Sequence, residues 1–182
     1  MSQRISKARE RAIVTSARLF RERGFDSVTV EDILIEANIA RSSFYRFFND
    51  KEDLLQHILN PVFDAMADQL EDIDLQHAES IMNAIADSYI AAWHHSGDAL
   101  LLTASLGESI FPLVKKTHNR YAMGIYQAMD ALSEVKLLRN DDAKLSALLL
   151  AQTGVKILQL CSTHAQFENV YRSTLRGMIL KW

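Results

Sequence analysis

Residues that break helices are scarce in this chain, and their scarcity limits the folds that it can adopt. There are 2 Pro and 6 Gly among its 182 residues. Apolar residues recur three and four positions apart through most of the sequence, as on one face of a helix, and no segment shows the alternation of a strand. We therefore expect an all-α fold of about nine helices.

The composition is typical of a soluble globular protein, with 48% hydrophobic and 24% charged residues. Cys161 is the only cysteine, which excludes an internal disulfide and suits a reducing compartment. No apolar run reaches the roughly 18 residues that span a bilayer. These features predict a cytoplasmic protein that does not enter a membrane.

Positive charge is concentrated at the start of the chain. Residues 1–24 contain seven Lys and Arg against two Glu, whereas the whole chain has a formal net charge of -3. A basic leading segment on an acidic remainder is typical of proteins that contact nucleic-acid phosphates with one end. On charge alone, a basic face that meets only solvent fits equally well.

Start and stop signals frame the first two helices. Gly24 is expected to cap the end of the helix that opens the chain. Thr29 and Asp32 have the spacing of a capping box, which predicts the start of a second helix. Asn38 is expected to end that helix, because Asn tolerates a left-handed backbone.

The segment after Asn38 predicts a third helix with two different sides. Phe44, Phe47 and Phe48 lie three and four positions apart and share a face that packs on a core. Two short helices joined by a tight turn form a helix-turn-helix, whose second helix enters the DNA major groove. The residues expected to contact DNA are Thr29, Arg41, Ser42, Ser43, Tyr45, Arg46 and Lys51.

A fourth helix is expected to start at Asp50 and to kink or break near Pro61. Further helices are predicted over residues 78–96, 98–106, 110–136, 141–162 and 165–181.

The N-terminal third resembles the TetR family of bacterial transcriptional regulators over about residues 8–58. The resemblance rests on three segments in order: RERAIVTSARLFRERGFDSVTVEDI, EANIARSSFYRFF and NDKEDLL. It implies a helix-turn-helix DNA-binding domain of three helices over residues 1–50. It also implies a helical ligand-binding and dimerisation domain over residues 51–182.

Two positions depart from the family pattern. Asn38 stands where Gly is usual, and the turn survives because Asn adopts the same backbone. Ala40 stands where Ser or Thr caps the recognition helix. Alanine cannot cap, at a cost of about 1 kcal/mol, so the helix is expected to start at Arg41 or one residue later.

The DNA contacts divide by chemistry. Thr29, Tyr45 and Lys51 are expected on phosphates, as the resemblance also implies. Arg41 is expected to read guanine and to matter most, while Arg46 suits a base or a phosphate equally. Ser42 and Ser43 are able to bond several bases.

The resemblance implies an effector pocket in the middle of the chain, although any single aromatic or Met residue at helical spacing is more often part of an ordinary core. The adjacent His94 and His95 have no Cys or carboxylate at ligand spacing, so we expect no metal and no cofactor. The candidate pocket residues are Phe63, Met66, Tyr89, Trp93, Phe111, Tyr121, Met123 and Tyr126.

A homodimer is implied as well, with its interface expected on the last two helices. Small residues at helical spacing allow close helix contact there, and apolar residues add surface; the alternative is an intramolecular core. The small residues are Ala143, Ala147, Ala151 and Gly154, and the apolar ones are Leu148, Val155, Leu158, Val170, Leu175 and Met178.

Together, these features predict a sequence-specific DNA-binding transcriptional regulator. The favoured form is a repressor dimer that a small-molecule effector releases from a near-palindromic operator in double-stranded DNA. The alternatives are a DNA-binding dimer without a ligand, an activator and an all-helical enzyme. The enzyme is disfavoured, since the sequence has no Gly-rich phosphate loop, GxSxG or HExxH motif.

Overall fold

The computed structural model describes residues 2–105 and 111–181, with side chains from residue 6 onward. Within these ranges the chain forms eight α-helices and no strand, apart from one isolated bridge between Leu138 and Leu180. The all-α prediction is confirmed. The helices are α1 (Ser2–Arg23), α2 (Val30–Ala37), α3 (Arg41–Phe47), α4 (Lys51–Glu71), α5 (Ala78–Thr103), α6 (Phe111–Glu134), α7 (Ala143–Cys161) and α8 (Phe167–Ile179).

The helix count is one lower than predicted because two expected helices form the single element α5. Its backbone breaks at Ser96, which has φ -162° and ψ 94°. The Ser96 hydroxyl accepts a hydrogen bond from the Ala99 N–H at 3.3 Å, so it caps the second half of α5 as a Ser at a helix start does. The predicted boundaries at residues 106 and 110 lie outside the described residues.

Pro61 does not interrupt α4, which runs continuously from Lys51 to Glu71. A proline removes one helical hydrogen bond. Leu59, Val62 and Phe63 around it are each at most 5% exposed. Packing of these apolar side chains outweighs the lost bond, since most helix stability in proteins comes from tertiary contacts.

The chain divides into two compact units. The N-terminal unit comprises Met1–Val62 and Ser96–Lys115, and the C-terminal unit comprises Phe63–His95 and Lys116–Trp182. Each has its own core, which includes Phe20, Ile33 and Leu55 in the first and Ile85, Leu158 and Leu175 in the second. This division describes packing, whereas the functional division after residue 50 remains a prediction. None of the described helices is both long enough and apolar enough to cross a bilayer.

The end of α1 follows its sequence signal. Gly24 has a φ of 83°, and its N–H donates to the Phe20 carbonyl at 3.0 Å. The ring of Phe25 then packs edge-on against the ring of Phe20, with 5.0 Å between centroids. This turn directs the chain from α1 into the loop before α2.

Candidate nucleic-acid interface and effector cavity

Helix α3, the candidate recognition helix, begins at Arg41. Ala40 occupies the N-cap position with an extended backbone and makes no side-chain cap bond. The N–H groups of Ser43 and Phe44 donate to the Ala40 carbonyl at 2.9 and 3.1 Å. Of the two predicted starts, the structure therefore has the earlier one.

Two of the three predicted Phe anchors hold α3 to the core. Phe44 is 0% exposed and Phe48 is 1% exposed. Phe47 is only half-buried, and the Arg46 guanidinium lies over its ring at 5.0 Å from the centroid. This cation–π contact gives Arg46 an apolar support and keeps its charge at the surface.

The opposite side of α3 is polar and accessible. Arg41, Ser42 and Arg46 are exposed, while Ser43 is half-buried. Tyr45 is 49% exposed, and its ring rests edge-on against Phe44 with 5.3 Å between centroids. A phenol on a supported ring loses little side-chain entropy when it bonds an acceptor.

Arg41 forms an ion pair with Glu31 of α2, a partner that the sequence analysis missed. Both side chains are more than half exposed, at 60% and 58%, so the pair contributes at most about 1 kcal/mol. Its main effect is orientation, because the pair holds the guanidinium beside the start of α3. A guanine that bonds Arg41 must compete with the Glu31 carboxylate.

Thr29 and Asp32 form the predicted capping box at the start of α2. The Asp32 N–H donates to the Thr29 hydroxyl at 3.1 Å, and the Thr29 N–H donates to the Asp32 carboxylate at 2.8 Å. The hydrogen bond from the Thr29 hydroxyl, followed by that from its N–H, lowers the pKa of Asp32. The Thr29 groups are thus engaged, and the next N–H groups, of Val30 and Glu31, lie in the first turn, where helical N–H groups have no intrahelical acceptor and suit an anion.

Lys51 has an internal role that its sequence position does not reveal. Its ammonium donates to the carbonyls of Phe25 at 2.7 Å and Val28 at 2.8 Å, and it lies 4.3 Å from the centroid of the Phe25 ring. These bonds tie the first residue of α4 to the loop that ends at Thr29. An ammonium has three N–H donors, so one remains for a phosphate.

In the second half of α1, the arginines of the basic segment are paired with carboxylates. Arg18 pairs with Glu22 and Glu36, each at 3.1 Å, and Arg21 pairs with Asp98 at 2.7 Å. The second half of α1 is therefore a poorer phosphate surface than its charge count suggests.

Asn38 has the predicted left-handed backbone, with φ 49° and ψ 58°. Its carbonyl accepts a hydrogen bond from the Arg11 guanidinium at 3.3 Å. Another basic side chain of α1 thus holds the turn between α2 and α3.

The C-terminal unit contains a partly open cavity of about 110 Å³ lined by α5, α6 and α7. Its lining is mainly aromatic and aliphatic. The lining residues are Tyr89, His118, Tyr121, Ala122, Ile125, Tyr126, Ala147, Leu148, Leu150 and Ala151.

Three predicted pocket residues, Tyr89, Tyr121 and Tyr126, line this cavity. The other five do not: Phe63, Met66, Trp93, Phe111 and Met123. Phe63 and Met66 are core residues, at 5% and 2% exposed, while Met123 is 60% exposed. The α6 residues that line the cavity follow one another at helical spacing on one face, and Met123 lies on a different face of the helix. The α7 residues of the lining had no sequence signal beyond their small or apolar nature.

Gly154 allows close packing inside the unit. A Cβ at this position would lie 2.8 Å from Cζ of Tyr89, which is too close for a carbon–carbon contact. Leu158 and Leu175 are 0% exposed, and Ala147 and Val155 are 5% and 7% exposed. Assigning these four residues and Gly154 to a dimer surface is therefore wrong, because they already pack within one chain. The large apolar residues that α7 exposes are Leu145, Leu148, Leu149 and Leu160.

Replacing Gly154 with alanine is expected to give no stabilisation, although alanine favours a helix by about 1 kcal/mol. The clash with Tyr89 costs about 1–3 kcal/mol. In a Tyr89→Leu background, the same replacement should become stabilising. Urea unfolding of the four proteins in this cycle measures the coupling. An equal effect of Gly154→Ala in both backgrounds would contradict the contact.

The described residues contain no group of three or more His, Cys, Asp or Glu that is arranged to hold a metal ion. His94 bonds instead to the Glu168 carboxylate, at 2.9 Å from its Nε2, and its side chain is 57% exposed. This pair lies on the surface of the C-terminal unit and has no link to the cavity lining.

Comparison with known proteins gives a family match at the N-terminus. Residues 12–58 match the family model described as bacterial regulatory proteins, tetR family. The uncharacterized HTH-type transcriptional regulator YerO of Bacillus subtilis (strain 168) is 41% identical over 51 residues. That match covers 28% of this chain and 18% of YerO, so the chain spans less than a fifth of that relative.

Solved structures resemble the whole fold. A bacterial regulatory protein in the tetR family from Rhodococcus RHA1 superposes with a TM-score of 0.73 at 14% identity, over 96% of this chain and 98% of that one. The ketosteroid transcriptional regulator KstR2 of Mycobacterium tuberculosis gives a TM-score of 0.75 at 18% identity, over 96% and 95%. At 14% and 18% sequence identity, the structural similarity establishes a shared fold and nothing more.

Proposed function

We propose that this chain, whose residues 12–58 match the family model described as bacterial regulatory proteins, tetR family, is a sequence-specific DNA-binding transcriptional regulator. The observation that carries this proposal is the two-sided helix α3. Its buried Phe44 and Phe48 fix the helix to the N-terminal unit, while Arg41, Tyr45 and Arg46 are exposed together. A short helix displayed in this way suits the major groove.

In this proposal the contacts to DNA have separate roles. Arg41 reads a guanine with its planar guanidinium, and Ser42 and Ser43 bond neighbouring base edges. Phosphates are bound by the free N–H groups at the helix start that Thr29 caps, together with Tyr45, Arg46 and Lys51, and these contacts set the register on the duplex.

A homodimer would present two copies of α3 to a near-palindromic operator, since two-fold symmetry in the protein matches symmetry in the site. The exposed leucines of α7 support such an interface. Leu145, Leu148, Leu149 and Leu160 are 38–76% exposed, which is costly for an apolar helix face left in water. A second copy of the same face would cover them.

The cavity of the C-terminal unit is the proposed effector site, and the proposed effect is release from the operator. A ligand shifts a conformational equilibrium by its differential affinity for the two states. In the state that binds the ligand, the two recognition helices would be held at a distance that does not match the operator. The ligand would then release the dimer from DNA, as expected for a repressor. Functionally, residues 1–50 would serve DNA binding and residues 51–182 ligand binding and dimerisation.

Selection from random DNA duplexes tests the proposal directly. The purified chain is expected to enrich a near-palindromic site with half-sites about one helical turn apart. A chain that enriches no sequence over the starting pool would contradict sequence-specific binding.

Replacing Arg41 with alanine is expected to relax the preference at one base pair in each half-site by about 1–3 kcal/mol, with other positions unchanged. Binding titrations with single-base operator variants measure this. Lys144→Ala, an exposed change on α7, removes the same charge and should leave every preference intact. A uniform loss across all sequences for Arg41→Ala would instead assign this residue to phosphate.

A further inference from the structure

We propose that the cavity lined by α5, α6 and α7 takes an uncharged ligand about the size of one ring that carries a hydrogen-bond acceptor, such as a cyclic ketone. This inference rests on the proposed function, in which the same cavity is the effector site. It specifies the chemical class that the cavity selects.

Size sets the first limit. The cavity measures about 110 Å³, and an engineered protein cavity of roughly 150 Å³ holds benzene. A ligand much larger than one ring therefore does not fit inside. Tyr126 and Leu148 line the cavity and are 46% and 54% exposed in the single chain, so they form its rim.

The absence of charged side chains among the described residues that line the cavity is the second constraint on the ligand. The lining residues, all of them within the described part of the chain, include no Lys, Arg, Asp or Glu. His118 is the one lining side chain that titrates near neutral pH, and burial lowers its pKa, which leaves it uncharged. Burial also raises the pKa of Tyr89 to about 12. A charged ligand would lose its hydration there without gaining an opposite charge.

A buried hydroxyl supplies the specificity. Tyr121 is 8% exposed, and its hydroxyl has no hydrogen-bond partner of normal length in the described part of the chain. Burial raises the pKa of Tyr121 well above its usual value, and the neighbouring Tyr89 and Ser88 have smaller effects. The Ser88 hydroxyl donates to the Ile85 carbonyl at 2.7 Å, and the Tyr89 hydroxyl donates to the Leu150 carbonyl at 3.4 Å.

An unsatisfied buried donor destabilises a protein until something accepts from it. Since Tyr121 lines the cavity, a ligand oxygen there is able to accept its proton. The aliphatic side chains of Ala147, Leu150 and Ala151 on α7 then contact the apolar body of the ligand. The cavity thus combines one polar group with an apolar wall, as small-molecule sites commonly do.

Matched probes separate these contributions. Cyclohexanone and methylenecyclohexane have nearly the same shape but differ in the acceptor oxygen, and cyclohexanecarboxylate adds a charge. We expect millimolar cyclohexanone to raise the Tm of the full chain clearly more than either of the other two. Calorimetric titration or ligand-observed NMR then gives each Kd.

Two variants assign the effect to one hydroxyl. Tyr121→Phe should weaken cyclohexanone binding by about 5–10-fold, as the loss of one hydrogen bond implies, and leave methylenecyclohexane unchanged. Tyr171→Phe is the matched control, because that hydroxyl is also buried without a partner but lies outside the cavity lining. It should change neither Kd. Equal binding of ketone and alkene, a preference for the carboxylate, or no binding of any probe would each overturn the inference.

Operator binding, measured on the same proteins, separates a failure of the proposed ligand class from a failure of the proposed function. A chain that binds its selected operator but none of the probes retains its DNA-binding function and refutes the ligand class. If the ketone binds through Tyr121 while operator affinity stays constant, the ligand class stands and the effector role fails. Failure to bind any duplex refutes the proposed function itself.

Discussion

Replacing Phe44 with alanine is expected to lower the free energy of unfolding by about 3–5 kcal/mol, as for other fully buried Phe residues. Phe44 is 0% exposed, and its ring contacts those of Tyr45 and Phe48 at 5.3 and 5.5 Å between centroids. The loss is a large part of the stability of a typical domain, so α3 should detach and operator binding should disappear. Urea unfolding followed by circular dichroism, together with an operator titration, measures both.

Phe47 provides the control for that experiment. It is the same residue type on the same helix, three positions away, but it is half-buried and supports Arg46 from the surface side. Phe47→Ala should cost much less stability and leave binding measurable. Similar losses for both variants would show that Phe44 is not the main anchor of α3.

Replacing Lys51 with methionine is expected to have the second largest effect, because it removes a donor from two backbone carbonyls at once. Methionine keeps the length and apolar stem of the side chain, so the change isolates the ammonium. Leaving the carbonyls of Phe25 and Val28 without this donor costs about 1–3 kcal/mol. The loop before Thr29 should loosen, and affinity for specific and random duplexes should fall alike.

Salt dependence tests whether Lys51 also contacts DNA. One phosphate contact accounts for a slope of about 0.9 in log affinity against log salt concentration. We expect Lys51→Met to reduce the slope by about this amount, and the exposed control Lys116→Met on α6 to change neither stability nor slope. A stability loss with an unchanged slope would limit Lys51 to positioning Thr29. An unchanged stability would refute its structural role.

The helix-turn-helix was predictable because its determinants are local. The capping box joins residues three apart, and the left-handed turn at Asn38 depends on the preference of one residue. The alternation of buried and exposed residues along α3 follows from helical spacing alone. Such signals are present in any short window of sequence, whatever the rest of the chain does.

The partners of Lys51 and the shape of the cavity were not predictable, because they depend on contacts between distant segments. The two carbonyls bonded by Lys51 lie 26 and 23 residues before it in the sequence. Tyr89 meets α7 at Leu150, 61 residues later, and Gly154 there has the sequence appearance of a dimer surface. Small residues suit close packing within a chain and between chains equally, so only the fold separates the two readings.

Ala40 has a consequence for the water around the recognition helix. A methyl side chain offers no acceptor to the first N–H groups of α3, so solvent must hydrate them in the unbound protein. In the proposed complex, a duplex that approaches Arg41 would displace this hydration from the same turn. The release of this water would therefore contribute to the heat of association. A chain with serine at this position would give a different heat, because the serine hydroxyl would already accept a hydrogen bond from one of those N–H groups.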